Sequence, residues 1–250
     1  MLRFGSDNPA NCDATDNQVQ KIESRTCGKL ACPAHAGNLE PYPRQTGKLF
    51  SMLLLEPYHS QLSRLPAEGA HIIGQLRNDT IVVYQAFNLA IAAYAVAHQQ
   101  FGGSNYSFNR MSWIKPGFLW MMYRSGWATK PNQERILAIS LPLDRFREIV
   151  AMAVPTSFAA SGMVNEAAWQ QAMTQSPVRI QWDPDHDPYG AKLPRRAIQL
   201  GMSGQILRQF ATEWVTGIED ITPLVQEQYA VVRARELERL IIPMENVVSI

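Results

Sequence analysis

Past residue 32 the chain contains no cysteine; Cys12, Cys27 and Cys32 are its only three. No disulfide can therefore staple the later chain, which suits a reducing compartment and makes a cytosolic or nuclear setting the expectation. Long apolar runs are missing too. A membrane span needs about 20 consecutive apolar residues. The stretch Ser51–Glu56 is too short, and too far in to be the apolar core of a secretory signal. Charge is nearly balanced, at +1, so the strong global field of a protein that coats nucleic acid non-specifically is absent. The chain has no G-x-S-x-G and no HExxH, and no cysteine in its later part. Serine hydrolase, cysteine hydrolase and zincin readings fall with them.

Metal sites are equally thin. Cys27, Cys32 and His35 offer three ligands where structural zinc wants four, and no second half follows. The acidic run Asp183–Pro184–Asp185–His186–Asp187 fails as a calcium loop. With Asp183 at position one, Pro188 stands where glycine is required and Pro194 where glutamate is. A polar surface loop is expected there, with Asp183 or Asp187 free to pair with nearby cations. No metal is expected.

What is present is 250 residues of ordinary globular composition, enough for one large domain or one domain with an appendage. Residues 1–70 are rich in Asn, Asp, Gly, Pro and Ser and lack a sustained period. They read as an irregular N-terminal extension, with one short helix near Leu53–Leu62. From Thr80 the pattern sharpens. Thr80–Tyr84 is β-branched and aromatic, a strand, and Asn88 caps an Ala-rich helix to Ala97. Met111–Lys115 is extended before Pro116, which opens a helix to Ser125 with Gly126 just past its end.

Strands follow at Glu134–Ser140, Val178–Trp182 and Arg196–Leu200, and helices at Asp144–Met152 and Asn165–Met173. A further helix ends near Thr216. The last begins at Thr222, with Pro223 in its first turn, and runs to about Leu240. Gly201–Met202–Ser203–Gly204 reads as a tight turn between strand and helix, close to the cations Arg195 and Arg196. Interleaved strands and helices of this kind predict an α+β fold, a single mixed-sheet domain with packed helices.

One segment carries most of the chemistry. Arg110 to Lys130 holds Trp113, Trp120 and Trp127 and the cations Arg110, Lys115, Arg124 and Lys130, and no acidic residue. As a helix, residues 116–125 are apolar almost all round and so buried. Trp120 and Arg124, four apart, share a face. Two readings stay open. In one, this is a core helix whose Arg124 pairs with a distant carboxylate. In the other, the missing counter-charge is a bound anion, with cations for phosphate and aromatics for a stacked ring.

Five stretches resemble, in order, the family catalogued as domain of unknown function 4291: Val83–Asn88, Arg110–Lys130, Gln133–Ile139, Val178–Pro184 and Arg196–Gly201. Trp214 and Ile218–Thr222 continue the likeness. It covers about residues 72 to 243 and places the globular domain at 71–245. The family's name assigns no activity.

The layout is also similar to that of ADP-ribosyltransferases, which clamp nicotinamide between strands and an aromatic-bearing helix. That likeness implies NAD as the ligand, with Tyr84–Gln85, Ser112, Tyr123 and Gln199 in the functional places. Gln199 departs from the pattern, since those enzymes usually carry glutamate there; an amide can orient a ribose hydroxyl but cannot stabilise an oxocarbenium-like charge.

The expectation is thus a nucleotide-binding, NAD-type transferase. Gln85, Gln199 and Tyr123 are its catalytic candidates. Tyr84, Arg110, Ser112, Trp113, Lys115, Trp120, Arg124, Trp127, Lys130 and Arg196 are its ligand-binding ones. The alternatives are a nucleic-acid-binding module using the same aromatics and cations, and an interaction scaffold whose Trp-rich block is only core.

Overall fold

A computed structural model of the protein describes residues 52–250. Cys27–His35 and the leader up to residue 51 lie outside the described residues. The strands and α-helices run β1 (Leu55–Pro57), α1 (Tyr58–Leu62), β2 (Gly69–Ala70), β3 (Ile73–Gly74), β4 (Leu76–Arg77), β5 (Thr80–Phe87), α2 (Leu89–His98), β6 (Ser112–Ile114), α3 (Phe118–Ser125), β7 (Arg135–Pro142) and α4 (Leu143–Ala151). They continue with β8 (Val154–Pro155), α5 (Phe158–Ser161), α6 (Glu166–Gln175), β9 (Val178–His186), β10 (Lys192–Met202), α7 (Gly204–Gln209), β11 (Gly217–Asp220), α8 (Thr222–Ala234), β12 (Ile241–Pro243) and β13 (Asn246–Val247). A π-helical stretch, Phe210–Trp214, extends α7. The fold is α+β.

Two sheets form the frame. One is antiparallel, in the order β11-β7-β5-β4; the other is mixed, β2-β10-β9-β8, with β6 also on β10. They meet at one bridge. The Tyr84 N–H donates to the Lys115 carbonyl at 2.7 Å, and the Lys115 N–H returns to Tyr84 at 3.2 Å. This join holds Lys115 rigidly between the sheets.

β5 and β7 are buried on both faces, so they read as nearly continuous apolar runs. Ile81 and Val83 with Leu137, Ile139 and Leu141 face one core, shared with Ile198 and Leu200 of β10 and Phe146 of α4. Val82 and Tyr84 with Ile136 and Ala138 face the other, against Phe118 and Met122 of α3 and Leu224 and Val225 of α8. Helix α2 begins as expected, with the Asn88 side chain accepting from the Ile91 N–H at 3.0 Å.

Three expectations need correction. β9 runs on to His186, so the acidic run is not a surface loop. Asp185 is buried and its carboxylate meets Arg195 Nε at 2.6 Å; pairing with β10 fixes the strand, and the ion pair makes its burial tolerable. Asp187 instead accepts the backbone N–H groups of Tyr189 and Ala191.

α8 stops at Ala234, six residues short of Leu240, where Arg235 turns left-handed at φ 63°. The chain beyond is drawn into β12, which pairs with β1, while Gln228 accepts the Ile241 N–H at 2.8 Å. β10 continues through Gly201 to Met202 and α7 begins at Gly204, so only Ser203 lies between them. Residues 52–70 contribute β1, α1 and β2, and Leu53 and Tyr58 are buried in the second core.

Candidate functional site

The Trp-rich block divides among several tasks. Helix α3 is buried on most sides, as its sequence requires, but nothing in its own sequence caps its start. The buried carboxyl of Glu245, 127 residues away, accepts the Phe118 N–H at 2.7 Å. Burial pushes that carboxyl up to about 8, against the pull of the Phe118 hydrogen bond.

At the other end Gly126, at φ 60°, closes the helix, and Trp127 and Ala128 follow with positive φ. Two such non-glycine residues in a row store strain, about 1–2 kcal/mol each. The turn is held by Ser125 Oγ, which accepts the Ala128 N–H, and by Lys130 Nζ, which donates to the carbonyls of Tyr123 and Arg124. Lys130 therefore completes a helix end.

Beside α3 opens a cleft of about 630 Å³, within the range of small-molecule sites. It is bounded by the end of β5, the start of α2, the segment leading into β6, and the turn 131–133. Its aromatic lining is Phe87, Tyr106 and Trp113. Three cations line it, Arg110, Lys115 and Arg124, together with uncharged polar groups that include Asn105, Ser107, Asn132 and Gln133. No aspartate or glutamate lines it.

Arg124 donates to Gln133 Oε1 at 3.2 Å, and among the described residues neither it nor Arg110 forms an ion pair. The distant carboxylate of the core-helix reading is thus not found there.

Gln85 is 3% exposed, and its amide nitrogen donates to Ser112 Oγ at 2.8 Å and to the Trp113 carbonyl at 3.0 Å. Its carbonyl oxygen is buried without a partner. Orphaned acceptors of this kind cost about 1–3 kcal/mol unless something satisfies them.

Lys115 is 5% exposed, and the Trp120 ring centroid lies 5.7 Å from its Nζ. Burial draws its ammonium down to about 7; Arg124 pushes the same way, and Asp183 opposes them. Trp113 is seated by Gly201 on the paired strand. A Cβ there would lie 2.8 Å from the indole and 2.6 Å from the Met111 sulfur.

Six of the thirteen candidates therefore converge on the cleft: Gln85, Arg110, Ser112, Trp113, Lys115 and Arg124. The other seven are placed elsewhere. Tyr84 is fully buried against Phe118, and its hydroxyl is unpartnered. Gln199 is on β10, where its amide donates to Asp183 Oδ2 at 2.8 Å, and Gln181 holds the other oxygen of the same carboxylate. Arg196 is exposed and reaches the Trp182 carbonyl.

Trp120 is buried in α3 with its indole nitrogen unpartnered. Tyr123 stacks on His186 with centroids 3.5 Å apart, and Trp127 stacks on Tyr229 at 5.7 Å. These last two line a second groove of about 420 Å³, with Tyr189, Arg233 and Arg235. Lys130 has been placed above. Tyr106, Asn105 and Asn132 carried no signal of their own in the sequence, because only folding brings their loops to the cleft; Gln133 opens one of the family-like stretches. Among the described residues no group of three or more His, Cys, Asp or Glu could hold a metal ion.

The segment that builds the cleft falls within a known family. The family model described as domain of unknown function (DUF4291) matches residues 71–248. The chain belongs to this family. The DUF4291 match takes in every residue of the cleft, from Gln85 to Gln133. No curated protein matches the chain. Among the described residues, no helix of this DUF4291 protein is long and apolar enough to cross a membrane.

Proposed function

We propose that the cleft binds a nucleotide or another phosphorylated, ring-bearing small molecule, and that the protein is a nucleotide-dependent transferase of the NAD type. The observation that carries the reading is the cleft's charge: two guanidinium groups and a lysine, no acid, and a buried amide oxygen without a partner. Arg110 and Arg124 face phosphate, where a guanidinium makes paired hydrogen bonds. Trp113 and Tyr106 flank the ring. The Gln85 carbonyl accepts from an amide or ribose hydroxyl, which supplies its missing partner.

Of the positions given by the ADP-ribosyltransferase likeness, Gln85 and Ser112 are hydrogen-bonded neighbours in the cleft. Tyr123 and Gln199 are not in its lining.

Calorimetric titration with NAD, ADP-ribose, ATP and a short single strand tests the proposal. A nucleotide should bind, and Arg124→Ala should weaken it by roughly 10- to 100-fold, the worth of a charged hydrogen bond, with an unchanged melting curve. No nucleotide binding, or equal binding by the variant, would overturn it. Strand binding that falls steeply with salt would point to a nucleic-acid module instead.

A further inference from the structure

Lys115 is unlike the other lysines of the described chain. Lys130 and Lys192 are exposed, and Lys130 spends its ammonium on helix-end carbonyls. Lys115 is buried at the cleft, fixed through its own backbone to Tyr84 at the junction of the two sheets. No hydrogen bond or ion pair holds its ammonium among the described residues. A buried cation normally has a partner, because desolvation penalises the charged form.

Of the charged groups around it, Arg124 and Arg110 share the cleft, and Asp183, on β9, is engaged by two glutamine amides. The Trp120 ring lies 5.7 Å from Lys115 Nζ, and Met121 lines the same cleft. A desolvated lysine beside a second cation is the arrangement that keeps an amine neutral and nucleophilic near pH 7.

We propose that Lys115 is a covalent nucleophile and that the ligand of this cleft carries an aldehyde or ketone as well as its phosphate. This deepens the reading of the cleft as a phosphorylated-ligand site and rests on it. In the step, the Nζ lone pair attacks the carbonyl carbon and the carbonyl oxygen takes up a proton. The carbinolamine then expels water, leaving an imine between Nζ and the ligand carbon. One water is released, and no oxidant or reductant is required. Arg110 and Arg124 hold the phosphate, and they orient the carbonyl toward the amine.

Pyridoxal 5′-phosphate, which joins a ring, a phosphate and an aldehyde, is the probe. The full-length protein is incubated with it, reduced with borohydride to fix any imine as a secondary amine, and peptide-mapped. The expected result is one dominant label, on Lys115, suppressed by excess pyridoxine 5′-phosphate and reduced at least tenfold in Arg124→Ala. Labelling should rise through about pH 7, where this amine loses its proton, whereas exposed lysines become reactive only at much higher pH.

Lys115→Met, which keeps the side chain's length and removes the amine, should lose the label. Labels spread evenly over the chain's six lysines, or absent from Lys115, would overturn the proposal. If pyridoxine 5′-phosphate binds at the cleft while the aldehyde is not trapped, the imine falls and the phosphate site stands. If neither occurs, both readings fall.

Discussion

At the scale of single residues, two buried ionisable groups sit far from their ordinary protonation behaviour, and the pH dependence of their effects on stability runs in opposite directions. Lys115 titrates at about 7 in the fold rather than its usual 10.5. Above about pH 10.5 it is neutral in both folded and unfolded chains and costs nothing. As pH falls from 10.5 to 7 only the unfolded chain takes the proton, so stability drops, and below 7 the penalty is constant. Lys115→Met should therefore melt higher than the native protein at pH 7, by roughly 2–8 °C, and the gain should shrink toward pH 10. Thermal melts across that range decide it, and a variant no more stable at pH 7 would contradict the burial argument.

Glu245 is held up at about 8 from a usual 4.5. Its contribution is complete below about pH 4.5 and is lost as pH rises through 8, because the unfolded chain ionises first. Glu245→Gln keeps an oxygen for the Phe118 N–H and removes the titration. The native protein should lose stability relative to this variant between pH 5 and pH 8. Parallel pH curves for the two would refute the assignment.

Elements explain where the aromatic and cationic residues went. A sequence read as one block is cut by the fold into a strand end that offers Trp113 and Lys115, a buried helix that consumes Trp120, and a left-handed turn that sends Trp127 to Tyr229. Helical periodicity shows that α3 is apolar all round but cannot say which sheet covers it. The element most sensitive to change is β10 beneath Trp113. In Gly201→Ala the new methyl meets Met111 and Trp113 at distances real side chains do not tolerate. Overpacking of this kind costs about 1–3 kcal/mol, and the displaced indole should also weaken ligand binding at the cleft. A denaturant melt together with a titration tests both, and a variant with native stability and affinity would show that the strand yields freely.

On the scale of the whole molecule, the fold begins before the family match does. Residues 71–248 carry the match, yet β1 pairs with β12, and Gln61 donates to the Pro243 carbonyl at 2.8 Å. Leu53 and Tyr58 fill the core beside α8. A chain beginning at residue 72 should accordingly melt well below one beginning at residue 52, since it loses both buried side chains, each worth about 1.5–3 kcal/mol. Equal melting temperatures would show that this segment is only appended.

Local chemistry determined the parts that depend on neighbours along the chain. The strand character of Thr80–Tyr84, the Asn88 cap, the stop at Gly126 and the missing acids between Arg110 and Lys130 are all legible in order, because propensity and capping act over a few residues. So is the family, whose mark is a run of specific side chains. The tertiary structure alone decided which elements meet. It brought Glu245 to the start of α3, turned Asp185 inward to Arg195, ended α8 early so that β12 could pair, and separated Tyr123 and Gln199 from the cleft that Gln85, Lys115 and Arg124 share. Those outcomes turn on desolvation and on strand pairing between distant segments, and such energies exist only once the sheets have closed on one another.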